Sequence, residues 1–227
     1  MEFPKVLIVS PTNSRKDYCT IDFVNNLRSL TYPEKDFCFC DNSYDPIFHV
    51  QEFILRGIDC LYVHPQGKSN TQYICQSFNA LRDYFLKGDW EWFLSVECDL
   101  FPPADIIETL LAYHKPVVSC RYFLAHGAHS HLLATEFDDS FSLNFNRNIF
   151  CLEGFHEYGT RKTKSGNSGL GCILIHRSVI AAIPFRLIDE STHNDTVASL
   201  DRDYFGIETT YCDEIITHKN SSWEYIA

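Results

Sequence analysis

Glu97-Cys98-Asp99 concentrates more candidate chemistry than any other short stretch of this chain. Its two carboxylates stand at i and i+2, directly after the apolar run at 92–96 (WFLSV) and before Pro102-Pro103. If extended geometry carries through the tripeptide, both side chains share one face. Oxygen ligands paired in this way suit Mg²⁺ or Mn²⁺, and such a cation can bridge the phosphates of a nucleotide. A solvated acidic turn would look the same over three residues, so the surroundings must decide.

Other clusters carry less. His126, His129 and His131 (AHGAHSHLL) contain a His-x-His pair, which on a strand would offer two imidazoles to zinc or copper. No nearby Cys or carboxylate completes the set, so they are assigned to an irregular loop. Arg161-Lys162-Thr163-Lys164 is the one dense basic run, either a solvated loop or a local patch for an anionic group. Asp41-Asn42-Ser43 has the makings of an Asx turn after a short strand. Gln76 and Asn79, one helical turn apart, are taken as the polar side of a helix.

The elements that must position these residues alternate. Strands are expected at 5–10, 37–40, 60–63, 92–96, 116–120 and 169–175, from short β-branched or aromatic runs bounded by turn residues. Helical spacing of apolar residues predicts helices from Ile21 to Leu30 before Tyr32-Pro33, at 47–55, at 71–86 and from Pro102-Pro103 to 112. Alternation of this kind implies an α/β fold: a doubly wound, mainly parallel sheet with helices on both faces. Such sheets bind ligands beyond the carboxyl ends of their strands, where the polar clusters of this chain fall. Between 123 and 168 the periodicity dissolves, as in a functional excursion. One domain is expected, with residues 1–100 as its nucleotide-binding half and 101–227 as its acceptor-side half.

Composition narrows the classes. The chain has 227 residues, 45% hydrophobic and 15% aromatic, enough for a core that folds without cross-links. Its formal charge of −11 disfavours a broad nucleic-acid surface. No run approaches the ~20 apolar residues of a membrane span. Residues 1–30 lack a basic-then-apolar leader, so a secretory signal is not expected. The ten cysteines sit mostly singly inside apolar runs, Cys38-x-Cys40 is the one close pair, and no Cys-x-x-Cys occurs. Reduced thiols in a cytoplasmic protein follow.

In order and spacing, several segments together resemble a GT-A glycosyltransferase of the family 2 type over nearly the whole length. KVLIVSPTNSR and LRSLTYPEKDFCFCDNSYD are similar to that family's first strand, helix, Leu-x-Tyr-Pro turn and second strand. DWEWFLSVECDLFPPADIIETLL resembles its metal-motif strand, usually Asp-x-Asp, with Glu97 replacing the first Asp. GNSGLGCILIHRSVIAAIPF resembles the Gly-rich strand and helix facing the acceptor. SLDRDYF and DEIITHK resemble the acidic catalytic motif and a terminal strand carrying a metal-binding His.

What the resemblance implies is specific. Pro11 and Thr12 would contact the nucleotide, Asp41 would recognise its base or ribose, and Asn42 and Ser43 would complete that turn. Asp99 would be the main ligand of Mn²⁺ or Mg²⁺, Glu97 a direct or water-mediated one, and His218 a third. Asp201, with Asp203 in reserve, would take the proton from the acceptor in an inverting transfer, although Leu200 stands where the family often has Glu. The donor would be a nucleotide-sugar, a UDP-sugar first. The acceptor is open among a glycan, a lipid-linked sugar, a protein and a modified nucleobase. Two rival readings are a sugar-phosphate nucleotidyltransferase, against which the glycine-free loop Pro11-Thr12-Asn13-Ser14-Arg15 speaks, and a catalytically degenerate binding module.

Overall fold

Strand β1 (Val6–Thr12) is buried almost throughout, and its residues divide by parity. Val6 and Ile8 join one apolar core, whereas Leu7 and Val9 join another on the opposite face of the sheet. The same division runs through β4 (Trp92–Val96), where Leu94 and Val96 go one way and Phe93 the other. This is why both strands are continuous apolar runs rather than alternating ones: a sheet covered on both faces has no solvent side. Structure is described for residues 3–65, 68–126, 129–133, 168–189, 193–220 and 223–226 of a computed structural model.

Three helices cover the first face: α1 (Asp17–Arg28), α2 (Ile47–Leu55) and α4 (Ile106–Leu111). They supply Phe23, Val24 and Leu27, then Phe53, then Ile106, Ile107 and Leu110. The second face is covered by α3 (Asn70–Lys87), α5 (Arg177–Ala182) and α6 (Asn194–Tyr204). α3 starts at a capping box in which Ser69 and Gln72 satisfy each other's backbone amides. Its other end is held by Arg177, whose guanidinium donates to the carbonyls of Phe85, Leu86 and Trp90 at 3.3, 2.7 and 2.8 Å. The last carbonyls of a helix run out of intrahelical donors; that of Phe85 also accepts from the Gly88 amide at 3.2 Å.

The remaining strands are β2 (Lys35–Asp41), β3 (Asp59–Tyr62), β5 (Leu100–Phe101), β6 (Val117–His126), β7 (His129–Leu133), β8 (Cys172–His176), β9 (Thr210–Asn220) and β10 (Trp223–Ile226). The sheet order is β10-β9-β6-β8-β4-β1-β2-β3, with β5 on β9 and β7 on β6. β3, β2, β1 and β4 are mutually parallel, as are β6 and β9, while β8 runs antiparallel to both β4 and β6. The sheet is thus mainly parallel and doubly wound. β1 lies between β2 and β4, so the chain leaves it in opposite directions on its two sides, and the carboxyl ends of these three strands open a crevice there.

Two departures from the sequence reading stand out. The stretch from 123 begins not as an irregular loop but as a β6–β7 hairpin, in which His126 pairs with His129 and Leu124 with His131. Residues 134–167, including Arg161-Lys162-Thr163-Lys164, lie outside the described residues. The 11-residue helix α6, which holds Asp201 and Asp203 in its last turns, is an element the sequence reading did not include. The polar run before Asn194 hid that helix's start. The described cysteines are all free thiols, and among the described residues no helix is long and apolar enough to cross a membrane.

Candidate active site

β1 ends at Thr12, and Asn13 turns the chain by accepting from the Arg15 amide at 3.0 Å. The 3-10 turn Ser14–Lys16 then leads into α1. Beside it, the end of β2 is bound tightly to this turn. The Asn42 amide donates to the Thr12 carbonyl at 3.0 Å, Asn13 Nδ2 donates to Asn42 Oδ1 at 2.8 Å, and the Ser14 amide donates to Ser43 Oγ at 2.8 Å. Asn42 Nδ2 reaches on to Ser77 Oγ of α3 at 3.1 Å.

Asp41 is fully buried and does not line the cavity. One of its oxygens accepts from the Ser43 amide and hydroxyl at 2.8 and 2.6 Å, and the other lies 3.3 Å from His49 Nδ1. Its contacts hold the turn that presents Asn42. His49 also contacts Asp17 in the first turn of α1. Burial opposes charge on this imidazole, but Asp41 and then Asp17 outweigh it and raise its pKa.

β4 delivers the carboxylate pair. Extended geometry stops at Val96, and residues 97–100 form a turn closed by the Leu100 amide on the Glu97 carbonyl at 2.9 Å. Glu97, Cys98 and Asp99 all border a cavity of about 290 Å³, and Cys98 also packs into the core. The shared face expected of a strand is therefore achieved by a turn. The same cavity is bounded by Pro11, Thr12, Lys16 and Asn42, with Tyr73, Ile74 and Phe78 of α3 as its apolar wall.

His218 arrives by strand pairing. β5 lies antiparallel to β9 with Leu100 opposite His218, and the Lys219 amide donates to the Asp99 carbonyl at 2.8 Å. His218 Nε2 stands 3.1 Å from Asp99 Oδ2, and that same oxygen accepts from Lys16 Nζ. Burial works against a charged Asp99, yet His218 and Lys16 outweigh it and hold its carboxyl below the usual carboxylate range. Glu97 goes the other way. Burial, then the charges of Asp99 and Asp195, push its pKa up to about 7.

Glu97 carries a consequence for stability. The folded carboxyl keeps its proton to about pH 7, whereas its ordinary value is 4.5, so the folded state holds the extra proton between those values. Stability from this group is full below 4.5, falls as pH rises through the window, and stays lower above it. Glu97→Gln is expected to melt about 5 °C above the parent protein at pH 8 and to show no gain at pH 4. Thermal melts at the two pH values check this; an equal effect at both would mean that the carboxylate is not strained.

The Gly-rich segment approaches from the antiparallel side. Gly169 has φ +57, a left-handed conformation that glycine adopts freely. The Gly171 carbonyl accepts from the Glu97 amide at 2.7 Å, and a Cβ at Gly171 would come within 2.4 Å of the Tyr122 ring. Ser168 just before it is bonded to Arg202 of α6, whose fully buried guanidinium donates to Ser168 Oγ at 2.8 Å and Ser199 Oγ at 3.0 Å. Burial lowers the Arg202 pKa to about 10. This buried arginine ties α6 to the segment that leads into β8.

Asp201 and Asp203 do not line the cavity. Asp201 is buried and receives both Arg186 Nε at 2.8 Å and Arg186 Nη2 at 2.5 Å, one on each oxygen. Asp203 is half-buried in the final turn of α6. Asp195, in the first turn of the same helix, is half-buried and likewise does not line the cavity, but its charge adds to the upward shifts of Glu97 and Tyr122. Sequence reasoning missed Asp195 and Lys16. A first-turn Asp opening a helix with Val197, Ala198 and Leu200 was a signal for the former; nothing local reveals that Lys16 meets a residue 83 positions away.

A divalent cation fits the donor set without a preformed cage. Asp99 and His218 converge, and Glu97 is a second carboxylate on the same cavity whose charge is disfavoured as it stands. Among the described residues no three His, Cys, Asp or Glu side chains already form a metal constellation. Mg²⁺ and Mn²⁺ sites commonly take one or two protein ligands and complete themselves with water and phosphate.

No family model matches the sequence, and no curated protein matches it. Solved structures do. S. aureus TarS 1-349 in complex with UDP aligns at a TM-score of 0.57 and 12% identity, over 98% of this chain and 60% of that one. The mannosyltransferase PcManGT from Pyrobaculum calidifontis, in complex with GDP-Man and Mn²⁺, aligns at 0.60 and 12%, over 94% and 56%. CMP:2-keto-3-deoxy-manno-octonic acid synthetase complexed with CTP aligns at 0.50 and 12%, over 93% and 90%. The chain thus spans about three fifths of the first two proteins. At such identities the likeness is one of backbone, and the backbone is that of the GT-A glycosyltransferase fold.

Proposed function

We propose that this chain is a metal-dependent glycosyltransferase that moves a sugar from a nucleotide-sugar to an acceptor hydroxyl with inversion. The observation that carries the reading is the placement of Glu97 and Asp99 on one cavity at the carboxyl ends of β1, β2 and β4, with His218 Nε2 3.1 Å from Asp99 Oδ2. Pro11, Thr12 and Asn42 bound the side of that cavity where the nucleotide would lie, and Asp41 supports Asn42 from behind. Asp99 and His218 would hold Mn²⁺ or Mg²⁺, with Glu97 direct or through water. Bound there, the cation would supply positive charge to the departing diphosphate.

The acceptor oxygen attacks the anomeric carbon while its proton passes to a carboxylate, and the bond from that carbon to the diphosphate oxygen breaks. We assign the proton to Asp195 rather than to Asp201 or Asp203. Asp195 acts electrostatically on Glu97, whereas both oxygens of Asp201 are committed to Arg186. The acceptor class stays open among glycan, lipid-linked sugar, protein and modified nucleobase.

Calorimetry with UDP, GDP and CDP, each with and without Mn²⁺, tests the reading. Binding of at least one diphosphate, UDP the first candidate, is expected with Mn²⁺ and not without it. No binding under either condition ends the proposal. The likeness to a CTP-bound synthetase favours one rival, a nucleotidyltransferase. Preference for a nucleoside triphosphate over every diphosphate would transfer the assignment to it.

A further inference from the structure

Two groups compete for Asp99 Oδ2, His218 Nε2 at 3.1 Å and the Lys16 ammonium. The imidazole can present a lone pair to a cation that Asp99 also binds. The ammonium has none to offer and carries the same sign of charge as the metal. An ammonium and a divalent cation on one carboxylate oxygen repel each other strongly in a site that is mostly screened from water. Asp99 is nearly inaccessible, its side chain 4% exposed, so solvent does little to relieve that repulsion.

Lys16 is built to move without disturbing the fold. Its backbone is fixed as the last residue of the 3-10 turn and the N-cap of α1, and its carbonyl accepts from Cys19 Sγ at 3.2 Å and Thr20 Oγ1 at 3.0 Å. Its side chain is 38% exposed, makes no capping hydrogen bond, and lines the cavity beside Pro11, Thr12 and Asn42. A flexible four-carbon stem can therefore carry the ammonium from Asp99 into the cavity while the backbone stays still.

We propose that Lys16 is an exchangeable counter-ion of the cation site: its ammonium neutralises Asp99 until a divalent cation takes that oxygen, and then turns to the donor's diphosphate. The inference rests on the glycosyltransferase reading and goes beyond it. It makes cation and nucleotide binding mutually reinforcing. The cation must displace the ammonium, which costs affinity when no anion waits to receive it, and the diphosphate supplies that anion. By linkage each ligand tightens the other by the same factor.

The test is titration of Mn²⁺ followed by the electron paramagnetic resonance of the free ion, with and without UDP, on the parent protein, Lys16→Met and Lys16→Arg. Lys16→Met is expected to bind Mn²⁺ on the order of tenfold more tightly without UDP and to lose most of the enhancement that UDP gives the parent protein. Lys16→Arg, which keeps the charge, should stay close to the parent. Equal or weaker Mn²⁺ binding by Lys16→Met, with Mn²⁺ binding retained in the parent, overturns the inference alone. Absence of Mn²⁺ binding in all three proteins, with and without UDP, overturns the cation site and the inference together. Matching thermal melts exclude misfolding, and the comparison of the two variants shows whether the effect follows the positive charge.

Discussion

Asp99→Asn is expected to weaken Mn²⁺-dependent nucleotide binding by at least about a hundredfold, because it removes the charge of the carboxylate proposed to hold the cation. The cavity would keep its shape, since the Asp99 carbonyl still accepts from the Lys219 amide and β5 still pairs with β9. Stability should fall by only about 1–2 kcal/mol, because Lys16 can turn to water when its partner is lost. Calorimetry and a thermal melt on one preparation separate the two effects. A second signature follows from the depressed pKa of Asp99. Its contribution to stability is present above the ordinary carboxylate value and disappears as pH falls through the lower, folded one. The parent protein should lose that increment in acid, and the variant should not. Retained Mn²⁺-dependent UDP binding in Asp99→Asn would move the cation elsewhere.

The second large effect separates chemistry from scaffolding within one helix. Asp195→Asn is expected to lower turnover by about a thousandfold, the scale of a lost general base, with folding and UDP–Mn²⁺ affinity unchanged. The readout is UDP release from a UDP-sugar. Asp201→Asn should do the reverse, since it breaks the two-point contact with partly exposed Arg186. A loss of roughly 2 kcal/mol, about 5 °C in melting temperature, is expected there, with turnover per folded molecule largely kept. If Asp201→Asn abolished turnover at an unchanged melting temperature, the roles of the two aspartates would exchange.

Much of the fold was legible because burial on both faces writes itself into sequence as short apolar runs. β1, β4 and α3 lie within a residue or two of where KVLIVS, WFLSV and the Ile74–Phe78–Leu81–Phe85 spacing put them. Where neighbours rather than local pattern define an element, the reading faltered. β6 extends past Cys120 because β7 and β9 pair with it, and α6 begins in a polar stretch because Asn194 and Arg202 are buried by contacts made elsewhere. The site followed the same division. Glu97 and Asp99 were visible as a motif, and His218 through its segment's resemblance to a terminal strand. Lys16 was hidden because its meaning lies in a contact across the sheet. Asp41 shows the converse: its motif suggested exposure to ligand, while packing against Ser43 and His49 turned it inward.

The pairing of Leu100 with His218 also bears on when the site comes into being. Asp99 and His218 are 119 residues apart in the chain, so their meeting closes a long loop whose entropy must be overcome first. The first half of the molecule, from β1 to β4, can assemble from nearer contacts and already bring Lys16 to Asp99. The imidazole arrives only when β9 docks on β5 and β6. A cation held by this pair would therefore report the completion of folding and stabilise an interaction absent from the earlier stages. A bound cation should consequently act as a brake on unfolding and leave the rate of folding almost untouched.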